Sequence, residues 1–174
     1  MVRSVVFDRN GHVRALVDRV DGLEHGTFVL YSADGRVRCT GWNLYGQPIS
    51  WWHRYHPNGA IASMQHFTNG KKDGIQCYWS PQGQLLRAEK ITLGLPDGPL
   101  FKFFADGSPE QWSTFKNGKQ QGRHLHWFRS NGRPAGFLQG EFLNGANHGH
   151  WIELDNAGQV NWEADFDNGR RLRK

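Results

Sequence analysis

The sequence predicts an all-β repeat protein, about seven stacked β-hairpins joined as an antiparallel meander. Three observations point there. Glycine recurs every 24 residues in two interleaved series, Asn-Gly and Asp-Gly pairs stand at most of those glycines, and alternating apolar residues fill the stretches between them.

The first series is Gly11, Gly35, Gly59, Gly83, Gly107, Gly132 and Gly158, with only the last two steps lengthened, to 25 and 26 residues. The second is Gly22, Gly46, Gly70, Gly94, Gly118, Gly145 and Gly169, broken once by a step of 27. Asn and Asp tolerate positive φ beside glycine, so Asn58-Gly59 or Asn117-Gly118 reads as a hairpin turn. The structural turn glycines are therefore expected to include Gly35, Gly59, Gly70, Gly83, Gly94, Gly107, Gly118, Gly132 and Gly145. Helix is disfavoured, because a glycine interrupts before three helical turns can form.

One unit shows the plan. From Gly74 a strand runs to the turn at Gln82-Gly83, a second returns to Leu93-Gly94, and the step Gly94-Leu95-Pro96-Asp97-Gly98 opens the next unit. Ser50 stands where the second unit should carry its opening glycine. Counting from that glycine, positions three and five give Val29 and Tyr31, His53 and Tyr55, Cys77 and Trp79, Phe101 and Phe103, Leu125 and Trp127, Ile152 and Leu154. This face is apolar in nearly every copy and is the expected core face, to which the returning strand adds Ile61 and Phe67, Leu85 and Ile91, Phe115, and Val160 and Phe166. Positions two and four vary from copy to copy, and they include Trp52, Arg54, Tyr78, His124, His126 and Trp151. Those six are the expected partner-binding residues; the competing reading is that these aromatics pack between neighbouring hairpins. The opening strand, residues 1–9, and the last strand are expected to cap the array. Residues 1–169 form one repeat domain on this reading, and 170–174 a basic tail. An exposed edge strand at either end would invite pairing.

Composition narrows the function classes. Eight Trp, 11 Phe and 4 Tyr in 174 residues mark a folded chain, although 22 residues are glycine. No run approaches the length of a membrane span, and the start is too short and too soon charged for a secretion signal, so a cytosolic protein is expected. The formal charge is +5, but four of the positives lie in Arg170-Arg171-Leu172-Arg173-Lys174. Without that cluster the charge is about +1, too little for strong long-range attraction to phosphates, which argues against a nucleic-acid partner. The cluster leaves peripheral contact with an acidic lipid surface open. Cys39 and Cys77 make no disulfide framework, and a buried free thiol is expected at Cys77.

No catalytic constellation emerges. His124 and His126 form a His-x-His on one strand face but lack the further ligands a metal site needs. The glycines turn strands and open no helix, so they make no phosphate cradle. No catalytic residue, metal or cofactor is expected.

The recurring pattern is Asn-Gly-x-x-x-Gly, an aromatic two or five residues on, Asp/Asn-Gly, then a return strand ending in an aromatic. It resembles the MORN repeat, in the bacterial variant of the YwqK-like antitoxin family. Asn69 to Gly83, Asn117 to Gly132 and Asn144 to Gly158 carry the resemblance best, and it covers roughly residues 10 to 169. The resemblance implies an elongated, curved antiparallel sheet of stacked hairpins. It also implies an antitoxin or immunity protein that binds a toxin or effector encoded beside it; the alternative is a MORN-type structural or membrane-associated scaffold. Ser50 and the lengthened interval from Gly132 to Gly145, with Gly136 and Gly140, are where irregular backbone and partner contact are expected.

Overall fold

The computed structural model describes residues 1–173 and is all-β: fifteen antiparallel strands in one open sheet whose strand order follows the chain. The strands are β1 (Val2–Phe7), β2 (Val13–Val20), β3 (Leu23–Tyr31), β4 (Val37–Leu44), β5 (Gln47–Tyr55), β6 (Ile61–Thr68), β7 (Lys71–Trp79) and β8 (Leu85–Thr92). They continue as β9 (Leu95–Phe103), β10 (Pro109–Lys116), β11 (Lys119–Ser130), β12 (Arg133–Leu143), β13 (Ala146–Asp155), β14 (Val160–Asp167) and β15 (Arg170–Arg171). Two compact units divide the chain: the first holds Met1–Leu85 and Ile91–Gly94, the second Leu86–Lys90 and the residues from Leu95 onward.

The two glycine series prove to be two kinds of turn. In the second series both central residues have positive φ, as at Asn69 (46°) and Gly70 (79°), which is what a type I′ hairpin turn requires. In the first series only the glycine does. There the glycine N–H donates to the carbonyl three residues back, as from Gly59 to His56 (2.9 Å) and from Gly83 to Ser80 (2.9 Å), and the loop is a longer turn with a glycine bulge. Asn131-Gly132 was grouped with the first series by spacing, but it is a two-residue turn with both φ positive. It joins β11 and β12, strands of 12 and 11 residues where most others have eight or nine. The late slip in the glycine period is therefore a hairpin drawn out at its tip.

The period of the second series has a tertiary cause. From Gly46 onward each glycine of the second series donates its N–H to a backbone carbonyl of the preceding hairpin: Gly46 to Glu24, Gly70 to Pro48 and Gly94 to Lys72 in the first unit, Gly118 to Pro96, Gly145 to Gln120 and Gly169 to Asn147 in the second, at 2.7 to 3.0 Å. Side chains add to this ladder, with Asp97 accepting from the Asn117 N–H (3.1 Å) and Gln121 from the Asn144 N–H (3.0 Å).

The Gly-x-x-x-Gly step is not a separate connection, because the strand runs through it. The closing residue of the step is a bulge with positive φ inside β3, β5, β7, β9, β11 and β13. In β5 the bulge residue is Ser50 at φ 58°, so the irregular backbone expected there is a non-glycine residue in the left-handed region. The basic tail is partly structured as well: Arg170 and Arg171 pair with β14, while Lys174 lies outside the described residues.

Candidate binding surface

The two sheet faces are largely the reverse of the sequence expectation. None of the twelve first-strand residues assigned to the core face is fully buried and Phe101 is exposed, whereas Ile91, expected in the core on a returning strand, is buried. The buried row is the one two residues after each bulge. In the first unit it runs Val17, Phe28, Gly41, Trp52, Gln65, Gln76 across β2 to β7. In the second it runs Leu100, Ser113, His124, Gly140, Trp151, Ala164 across β9, β10, β11, β12, β13 and β14.

This interior is chemically varied because it is packed large against small. A Cβ on Gly41 would lie 2.2 Å from the Trp52 ring, and one on Gly140 would lie 2.2 Å from the Trp151 ring. Each indole lies flat on a glycine and donates its Nε1–H to a carbonyl, Trp52 to Trp42 (3.2 Å) and Trp151 to Glu141 (3.1 Å). Phe28 and Phe67 flank Trp52 at ring separations of 5.3 and 6.3 Å, and Phe142 and His124 flank Trp151 at 4.9 and 5.8 Å. Polar members of the row are hydrogen-bonded in place, although the Gln76 Oε1 finds no partner among the described residues. Gln76, fully buried, donates to the His66 and Gly74 carbonyls. Burial, with smaller contributions from His126 and Lys102, lowers the His124 pKa to about 4, so its ring is neutral at pH 7. Its Nδ1 is hydrogen-bonded to the Ser113 hydroxyl (2.7 Å), which itself accepts from Gln111 Nε2 (2.8 Å). Ser113 is 1% exposed, so this serine–histidine pair is a structural hydrogen bond that no substrate reaches.

The six residues expected to bind a partner are therefore redistributed. Trp151 (3% exposed) and His124 (7%) are interior in this structure. Trp52 is half-buried on Gly41. Tyr78 is half-buried, its hydroxyl accepting from Gln65 Nε2 (2.8 Å) and Lys72 Nζ (3.2 Å). His126 is half-buried beside Phe128, 5.0 Å between rings. Arg54 is exposed, across the sheet from Ser63. The structure gathers His124, His126 and Trp151 into one cluster, and places Trp52, Arg54 and Tyr78 in the other unit. Among the described residues no group of three or more His, Cys, Asp or Glu is placed to hold a metal ion. Burial raises the Cys39 thiol pKa, and that thiol is the buried one; Cys77, expected buried, is half-exposed.

The open surface lies on the other face. In the first unit Trp42 (46% exposed), Trp51 (41%) and Ile75 (56%) stand on it, with the His66 ring set edge-on to Trp51 at 5.1 Å.

The second unit carries a cleft of about 520 Å³ where the drawn-out β11–β12 hairpin passes the loops at 104–108 and 155–158. Phe104, Pro109, Trp127, Pro134 and Phe137 wall it. Arg129 braces one side, stacking on Phe104 at 4.3 Å and bonding Asp106 (2.5 Å) and Ser108 (2.6 Å). That guanidinium holds the Asp106 pKa down to about 2. The glycine slip between 132 and 145 thus coincides with a concave apolar site.

Fold and surface define an open, single-sheet all-β repeat with an interlocked interior row and exposed aromatic patches. No family model matches this chain, and no curated protein matches it.

Proposed function

We propose that this chain is a non-enzymatic cytoplasmic binding protein that captures another protein, a toxin or effector encoded beside it, and neutralises it by direct contact. The observation that supports this most is the exposure of Trp42, Trp51 and Ile75 in the first unit, with the His66 ring edge-on to Trp51. Tryptophan is among the residues that dominate binding energy when an interface buries them, and large apolar residues left open mark an interaction site. The resemblance to bacterial MORN-variant antitoxins supports the same reading.

The test is co-expression with the product of the adjacent gene. Capture of that product and rescue of growth are expected, and replacing Trp42 and Trp51 together by alanine should abolish both without changing the melting temperature. Absence of both capture and rescue with the unaltered chain would overturn the proposal.

A further inference from the structure

We propose that β1 is a homodimer edge: two copies join through their β1 strands, antiparallel, with Val5 of each copy on the two-fold axis. β1 pairs on one side only, with β2, and stands at the end of the sheet order. The Asp8 N–H donates to the His12 carbonyl (2.8 Å). Backbone groups alternate along a strand, so Val6, Ser4 and Val2 turn theirs toward β2, and Phe7, Val5 and Arg3 turn theirs outward.

Among the described residues nothing guards this edge. It has no proline and no bulge of its own, and both its faces are apolar: Val2 and Val6 on one side, Val5 and Phe7 on the other, with Val2 69% and Phe7 57% exposed. Such an edge templates pairing with another chain. Its one charge, Arg3, is already held by Asp18 in a two-point contact at 2.8 and 3.1 Å. The far edge is different. β15 is two residues long, both are exposed arginines, and so it offers little ladder and a repelling charge. One open apolar edge and one short charged edge favour a closed pair over a head-to-tail filament.

The register follows from the outward groups. Residues facing each other across an antiparallel pair lie on the same face of the sheet, so the outward residues must oppose one another. Val5 then meets Val5, Arg3 of each copy meets Phe7 of the other, and Ser4 meets Val6. Valine sits on the axis on one face, and the neutralised arginine lies beside an aromatic ring.

Sedimentation of the full chain over a wide dilution series tests this. The expected mass approaches twice 19.9 kDa at high concentration and falls toward 19.9 kDa on dilution. Val5→Lys, which sets two like charges on the axis, should hold the chain at the monomer mass, while Val160→Lys on exposed β14 should leave the dimer intact. Hydrogen exchange on the unaltered chain gives a readout independent of any variant's folding. The amides of Arg3, Val5 and Phe7 should be slow in concentrated samples and fast in dilute ones, with Ser4 and Val6 slow in both. A monomer mass at every concentration, or a dimer in which those three amides exchange freely, would overturn the proposal.

Discussion

Gly140→Ala is expected to destabilise the protein severely, although it adds only one methyl group. Gly140 belongs to neither glycine series and makes no turn. It has no positive φ; its role is space. A Cβ there would lie 2.2, 2.4 and 2.7 Å from three atoms of the Trp151 ring, where ordinary contact needs about 3.5 Å or more. The ring has to retreat by roughly an ångström, yet it is 3% exposed and lies among Phe142, His124 and Ala164. Overpacking of this kind costs about 1–3 kcal/mol. Displacing the ring also strains its Nε1 bond to the Glu141 carbonyl (3.1 Å), worth about 1 kcal/mol. A total of about 2–4 kcal/mol corresponds to a fall in Tm of roughly 5–15 °C for a chain of this size. Thermal unfolding followed by far-UV circular dichroism measures it. In a Trp151→Leu background the alanine should cost little, because the ring it strikes is gone, and the coupling should approach the overpacking term. A Gly140→Ala protein that melts with the wild type, or that loses as much stability with leucine at 151, would refute the reasoning.

Three further outcomes follow from the same geometry. His124 is held neutral, with a folded pKa of about 4 against an ordinary value near 6.5, so the stability linked to it is present above about pH 6.5 and is lost as pH falls toward 4. His124→Gln should flatten Tm against pH in that window, while the window of Asp106, whose pKa is lowered to about 2, lies below it. Leu93 occupies a tight-turn position at φ 49° where Asn69 and Asn117 stand in neighbouring turns; Leu93→Asn should stabilise by about 1 kcal/mol, as should Ser50→Gly at φ 58°, both read by urea titration. Asp97→Ala removes the acceptor of the Asn117 N–H (3.1 Å) and should cost about 1 kcal/mol in the same titration.

Much of the fold was legible because it is written in backbone-dependent residues. Glycine and asparagine sit where φ is positive, and their spacing located both turn edges of the hairpins, including the late slip that became the β11–β12 hairpin and its cleft. The face assignment was not legible by the same route. Uniformity from copy to copy was taken as the mark of a core, but a row packed large on small must differ at each step: Phe28, Gly41 and Trp52 alternate in bulk, as do Gly140, Trp151 and Ala164. One signal did lie in the sequence. Gly41 and Gly140, two of the glycines outside both series, each precede a tryptophan, Trp52 and Trp151, by the same interval.

The central claim is that the row containing Trp151 is interior and the opposite face, with Trp42 and Trp51, is the open one. Graded oxidative modification of the native protein, with each tryptophan followed by mass spectrometry, tests it most directly. Trp42 and Trp51 should be modified early, and Trp151 only when the protein unfolds. Modification of native Trp151 as fast as Trp51 would contradict the account.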